Sequence, residues 1–400
     1  MHYLFMPSLA DITIDPSIRT RLQQGHPWVY RNHLIGAERL PSGQWVRARC
    51  GGLTVYGLYD AHSPIGLRIF SRNGPPDQAW FRDRVWEAWE LRAPLRASGQ
   101  TTAYRWVYGE GDGLPGIVVD RYGDYAVIQT YAESVQTLAP VIASALRAAD
   151  PDLRGVVQRP RLNDDDEGEA QPVLLWGEWP PRDLVVQENG LLFHVDMLYG
   201  QKTGLFLDQR DNRRMVETLV AGASVLNCFA YTGGFSLYAL RGDAAEVVSC
   251  DVGRGLAEAT AANIALNRLP AERHRFETED CFALLDRYAK AGRTFDVVIL
   301  DPPSFARARA SQHAAQRAYA RLNALGLRCV APGGLLITAS CTAQIGPEQF
   351  RALLGEAAAQ AHRRLQIIHE AGHPLDHPVP AGFPEGRYLK FIIARVQLLV

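Results

Sequence analysis

Two short segments of the chain carry side chains able to do covalent chemistry. Asp301-Pro302-Pro303-Ser304-Phe305 follows the apolar run Phe295 to Leu300, and Ser340-Cys341-Thr342 follows the apolar run Leu335 to Ala339. Both runs read as interior strands of a parallel sheet. In an open α/β sheet, chemistry collects outside the carboxyl ends of the strands. A carboxylate and a thiol are therefore expected at one crevice. The prolines preset φ and remove amide donors, which makes the turn after Asp301 rigid. Asp301 can accept from the exocyclic amine of a base, with Pro302, Pro303 and Phe305 as its substrate contacts. C5 of cytosine is a poor nucleophile. A Cys341 thiolate adding to C6 turns the ring into an enamine whose C5 attacks an electrophilic methyl, and loss of the C5 proton expels the thiol. The plain alternative is that Cys341 is a core thiol.

The donor of that methyl needs its own cradle. The run Ser224-Val225-Leu226-Asn227 reads as the first strand of the sheet and leads into Cys228-Phe229-Ala230-Tyr231-Thr232-Gly233-Gly234. The paired glycines allow a tight turn and close backbone approach to a ligand. Asn227, Phe229, Tyr231, Thr232 and Gly233 are the candidate cofactor contacts here. The pattern is not G-x-G-x-x-G, which argues against a pyrophosphate cradle. A second strand ends in Asp251, placed to hold two ribose hydroxyls. A third is followed by Asp280, placed to accept from an adenine amine, with Phe282 against the ring. Together with Asp301 these carboxylates point to S-adenosylmethionine rather than a nicotinamide. Singly, Asp251 also reads, as the lesser alternative, as a turn residue, and Asp280 reads equally as a helix N-cap.

The elements that position these groups follow from periodicity. From about Gln201, strands alternate with helices at 235–240, 255–267, 281–291 and 310–330, the pattern of a doubly wound parallel sheet. Asn189-Gly190 lies between two apolar runs, as in a hairpin turn. Residues 1–73 show short strands and turns and read as a small β barrel. Arg19, Arg21, His26, Arg31 and His33, interleaved with Trp28 and Tyr30, read either as an RNA-gripping arm or as aromatics capping the barrel. Residues 74–182 read as an α+β domain with helices at 77–97 and 135–148, and residues 183–400 as the hairpin and the sheet domain. An acidic loop, 163–169, reads as solvated.

Composition adds little. The net charge of -1 gives no global basic signature of nucleic-acid binding. The six cysteines lack metal-ligand spacing, so no metal is expected. No secretory leader and no apolar run near 20 residues is seen, so a cytoplasmic chain without membrane contact is expected.

With those residues in view, the chain resembles the bacterial 23S ribosomal RNA cytosine-C5 methyltransferases built from a PUA domain, a middle RNA-binding domain and a Rossmann-like class I methyltransferase domain. The carriers are His26-Pro27-Trp28-Val29-Tyr30, Gly111-Asp112-Gly113-Leu114-Pro115-Gly116-Ile117, and Lys202-Thr203-Gly204-Leu205-Phe206-Leu207-Asp208-Gln209-Arg210-Asp211. To these are added Asn227 to Phe235, Asp301-Pro302-Pro303, Ser340-Cys341, Asp376-His377-Pro378 and Phe383 to Lys390. The resemblance implies Phe206, Asp208, Gln209 and Arg210 beside the cofactor or substrate, Cys341 as nucleophile and Asp301 as the cytosine-orienting group. It further implies S-adenosylmethionine as cofactor and 23S RNA as partner, and leaves a homodimer open. Thr342 stands where Ser is usual. Ser304 stands where some relatives carry Lys and some cytosine methyltransferases a second cysteine. Arg307, Arg309, Arg317 and Arg321 face either RNA phosphates or plain solvent. Two other readings stay open: N-methylation of an exocyclic amine, which would not need Cys341, and a non-catalytic RNA-binding assembly factor.

Overall fold

The computed structural model describes residues 9–37, 39–159, 171–306 and 311–399. The acidic loop, Arg307 and Arg309 lie outside the described residues. The chain divides into two units. One comprises Met1–Gln187, Val195–Leu207 and Leu375–Gly386; the other comprises Glu188–His194, Asp208–Pro374 and Arg387–Val400.

The first unit holds two sheets. The six-stranded one has the order Trp28–Tyr30, Ile65–Ser71, Leu53–Tyr59, Trp45–Cys50, Ala10–Ile14, Leu34–Ile35. Its two outermost strands are joined by Arg31–His33 alone, a stretch that spans at most about 10 Å. The sheet must therefore curl until its edges nearly meet, which gives the expected barrel. Ile14, Val29, Val46, Ala48 and Leu67 fill it. The five-stranded sheet has the order Val173–Gly177, Gly155–Arg159, Tyr125–Thr130, Ile117–Tyr122, Ala103–Tyr108. The helices Gln78–Leu91 and Ala139–Ala149 accompany it. Asp77 caps the former by accepting from Trp80 N at 2.8 Å. The expected single helix to residue 97 is broken at Arg92, because Pro94 opens a separate helix, Ala93–Ala97. The second begins at Ala139 after a 3-10 turn, with Pro140 in its first turn.

Several motifs that carry the resemblance meet inside this unit. Arg92 is fully buried and satisfied: Asp112 takes two of its donors (2.6 and 2.7 Å), and the carbonyls of Asp376, Arg105 and Ala88 take the rest. His26 is buried beside Glu385, and Trp28 donates to Glu110 at 2.7 Å while packing edge-on against Phe383. Arg31 is bound to the carbonyls of Asp60 and Ser63. For these residues of the basic-aromatic arm the structural role is the one observed.

The second unit is built on a seven-stranded sheet. Its strands are β1 (Ser224–Cys228), β2 (Glu246–Cys250), β3 (His274–Glu277), β4 (Phe295–Leu300), β5 (Val330–Ser340), β6 (Arg363–Ala371) and β7 (Lys390–Leu398). The helices are α1 (Arg210–Glu217), α2 (Gly234–Arg241), α3 (Leu256–Leu266), α4 (Cys281–Lys290), α5 (Gln312–Arg328) and α6 (Pro347–Gln360). The strand order is β3-β2-β1-β4-β5-β7-β6, with β7 antiparallel to both neighbours. This is the doubly wound sheet expected from the sequence. The order reverses between β1 and β4, so their carboxyl ends flank the switch-point crevice where such folds bind ligands. The sequence reading found β1 to β5 and α2 to α5, and missed β6, β7, α1 and α6. Asn189 and Gly190 take φ of 47° and 85°, as an Asn-Gly hairpin turn requires.

Candidate active site

The loop leaving β1 is held in an unusual backbone. Phe229, Tyr231 and Gly233 take φ of 60°, 48° and 83°, a region side chains other than glycine rarely occupy. Three hydrogen bonds hold the turn: Ala230 N to Cys250 O (3.0 Å), Gly233 N to Ala230 O (2.9 Å) and Tyr231 N to Asp251 Oδ2 (2.9 Å). Asp251 Oδ1 also accepts from Gly253 N at 3.1 Å. Asp251 is thus a turn residue, one of its two readings. An ionised carboxylate has about four lone-pair sites, so two amides leave capacity for ribose hydroxyls.

Asn227 is buried at the end of β1. It donates to Ser236 Oγ (2.9 Å), which pairs with Ser249 Oγ (2.7 Å), which in turn pairs with His274 Nε2 (2.8 Å). Burial lowers His274 to about 4. The Asn227 Oδ1 atom is buried with no partner among the described residues. An orphaned acceptor beside a constrained loop and a carboxylate at the end of β2 form an acceptor set that fits the hydroxyls and amine of an adenosine-bearing cofactor. Thr232 is half-buried in the same loop, and its carbonyl accepts from Asn263 Nδ2 at 3.1 Å. Asp280 is exposed and caps α4 by accepting from Ala283 N at 3.0 Å, its other reading.

The segment entering α1 ties the sheet ends together. Gln209 donates to Asp301 Oδ1 at 2.9 Å and accepts from Asn212 Nδ2 at 2.6 Å. Asp208 accepts from the Tyr388 hydroxyl at 2.6 Å. Arg210 is buried with its Nε on Asp211 at 3.0 Å. Arg213 makes a buried bidentate pair with Glu188 (2.8 and 2.6 Å), which anchors the helix. Phe206 falls in the first unit, with the Lys202 ammonium 4.4 Å from its ring centroid.

Cys341 follows β5 and is half-buried, whereas Cys50, Cys228, Cys250, Cys281 and Cys329 are buried. Burial pushes Cys329 up to about 12 and raises Cys50. Cys250 is raised by its hydrogen bond to Cys281 and by burial. Two hydroxyl contacts join the segments after β4 and β5: Ser304 Oγ lies 3.0 Å from Thr342 Oγ1, which lies 2.9 Å from the Tyr319 hydroxyl of α5. The Tyr319 hydroxyl is held at about 12 by burial, with Cys341 and Asp301 adding negative charge nearby. Phe305 is wedged between Tyr319 (4.7 Å between centroids) and Phe282 (6.1 Å). Pro302 is buried and Pro303 exposed. Of the flanking arginines, Arg317 and Arg321 are exposed, with Arg321 5.4 Å from the Phe282 ring centroid.

Four groups at this site were not assigned from sequence: Lys390, Tyr319, Tyr388 and Asn212. Lys390 is buried and donates to the carbonyls of Thr342 and Tyr388, both at 2.7 Å. Its scarcity was the available signal, since the chain has lysine at 202, 290 and 390 only.

Comparison with known proteins agrees with this geometry. A family model described as S-adenosylmethionine-dependent methyltransferase matches residues 134–382, and one described as a PUA-like domain matches residues 12–72. Ribosomal RNA large subunit methyltransferase I of Shewanella frigidimarina is 35% identical over 393 residues, covering 96% of this chain and 99% of that protein. The protein of the same name from Photobacterium profundum is 36% identical, covering 92% and 95%. A solved structure assigned as an S-adenosylmethionine-dependent methyltransferase from Streptococcus mutans superposes with a TM-score of 0.86 at 23% identity, covering 96% of this chain and 100% of that one. A methyltransferase solved with SAH also gives 0.86, at 24% identity and the same coverage. Among the described residues no helix is long and apolar enough to cross a membrane.

Proposed function

This chain belongs to the S-adenosylmethionine-dependent methyltransferase family, and from that premise we propose that it methylates C5 of a cytosine in 23S ribosomal RNA through a covalent adduct to Cys341. The large-subunit target is supported by the names of the relatives and by the PUA-like domain. The observation that carries the C5 chemistry is the position of Cys341. It is the one cysteine that is not buried, and it follows β5 next to the strand that delivers Asp301.

The cofactor supplies an electrophilic methyl group on sulfonium. Asp251, Asn227 and the Phe229–Gly233 loop would hold it. Gln209 fixes the Asp301 carboxylate, which accepts from the cytosine amine and so orients the ring. The Pro302-Pro303 turn limits how that carboxylate can move. Cys341 adds to C6, C5 takes the methyl, and loss of the C5 proton expels the thiolate. Ser304 rules out a release step that uses a second cysteine at that position.

The test is transfer of labelled methyl to unmodified 23S RNA by wild type and Cys341→Ala, with base analysis of the product. Formation of 5-methylcytosine that disappears in the variant supports the reading. Label on an amino nitrogen, or an active variant, would overturn it in favour of N-methylation.

A further inference from the structure

The site contains a buried amine that the mechanism above leaves unused. Lys390 opens β7 opposite Ser340 in the antiparallel β5–β7 pairing, so it lies beside the turn that carries Cys341. It is 4% exposed, and its amine donates to two carbonyls, Thr342 O and Tyr388 O. An ammonium has three hydrogens, and a neutral amine has two hydrogens and a lone pair. Both forms can keep both carbonyl bonds. Only the third direction changes, from a proton to a lone pair, so the site tolerates either state. Burial lowers Lys390 to about 8, with Cys341 pulling the other way.

We propose that Lys390 is a positioning residue whose buried ammonium, held on the Thr342 carbonyl beside Cys341, stabilises the Cys341 thiolate as its counter-charge. The proposal rests on the reading of Cys341 as nucleophile. The S–H bond breaks, its electron pair stays on sulfur, and its proton passes to water. Among the described residues, the other groups set around this region are Tyr319, Asp301, Tyr388, His373, Glu370 and Arg387. Tyr319 of α5 is a neutral phenol, and Asp301 after β4 is an anion that disfavours a thiolate. Tyr388 donates to Asp208, and His373 after β6 accepts from Leu389 N. Glu370 and Arg387 line a cavity of about 290 Å³ with Lys390, and Glu370 is taken by Arg351 at 2.7 Å.

The experiment follows Cys341 alkylation by iodoacetamide against pH in the full chain, read by peptide mass. Wild type is compared with Lys390→Met and Lys390→Arg, and S-adenosylmethionine binding serves as the folding control. Lys390→Met should move the profile up by about one pH unit, roughly ten-fold slower labelling at pH 7, and Lys390→Arg should restore it by supplying charge. An unmoved profile in folded Lys390→Met overturns the proposal. If that variant does not fold, the lysine is read directly. With only three lysines, 13C-lysine signals can be titrated in wild type and Cys341→Ala. The Lys390 midpoint should fall when the thiol is removed, and an unmoved midpoint overturns the proposal. Neither readout needs methyl transfer. A Cys341→Ala enzyme that still transfers methyl would therefore sink the functional reading without touching this pair.

Discussion

Cys341 differs from the other five cysteines in access rather than in kind. Wild type treated with a small alkylating agent should lose activity in step with modification of Cys341, while the five buried thiols react only after unfolding. Cys341→Ala should lower methyl transfer by at least about three orders of magnitude with cofactor affinity kept, measured by single turnover and by calorimetry. Asp251→Asn should weaken S-adenosylmethionine binding by roughly 10- to 100-fold, since hydrogen bonds to a charged group contribute about 1.5–3 kcal/mol. His274 carries a pH prediction. Its folded value, about 4, lies below the free value of 6.5, so the unfolded chain binds more protons between them. Its contribution is intact above about pH 6.5 and is lost as pH falls toward 4, by on the order of 2–3 kcal/mol. His274→Gln should flatten the fall in denaturant midpoint between pH 7 and 5. The residues legible in the sequence were those next to strand ends, namely Asp251, Asp301 and Cys341. Lys390 and the Ser304–Thr342 pair were not, because their contacts join segments that only the sheet order brings together.

At the scale of elements, the β1 loop is the strained piece. A Cβ on Gly233 would lie 2.5 Å from Thr260 Cγ2, at a φ of 83°. Gly233→Ala should therefore cost about 1–3 kcal/mol of stability and weaken cofactor binding, read by thermal melting with and without S-adenosylmethionine. The paired glycines made the turn legible, but nothing in Phe229 or Tyr231 announced a left-handed backbone. That conformation is held by the bonds that Ala230 N and Tyr231 N donate to Cys250 O and Asp251 Oδ2. The β/α rhythm revealed β1 to β5. It hid β6 and β7, which pair antiparallel with no α-helix between them. The expected helix at 77–97 ran too long because its apolar pattern continued through Arg92, whose side chain turns inward to Asp112.

For the whole molecule, the buried Arg213–Glu188 pair is a stability hinge. Its partners are 2% and 0% exposed, so Glu188→Gln should destabilise the protein by about 3–5 kcal/mol, measured by denaturant unfolding. RNA affinity should be modest and fall with salt, because a chain of net charge -1 can grip phosphate only through local arginines. A binding curve flat from low to high salt would refute that. The fold class was legible as a whole, since barrel-like strands, a mixed middle and a β/α repeat occur in sequence order. The return of the chain to the first unit at Leu375–Gly386 was not, because no periodicity marks a segment that serves as a partner rather than as an element.

That return has a consequence for how the protein is made. Arg92 is sealed in the first unit by the carbonyl of Asp376, and His26 by Glu385. Neither partner has been translated when the preceding pieces of that unit leave the ribosome. At a synthesis rate of 5–20 residues per second, the interval from Leu207 to Leu375 is roughly 10–30 s. For that time a guanidinium destined for full burial has only part of its final company. The earlier pieces of that unit must wait for a strap delivered only after most of the second unit has been made.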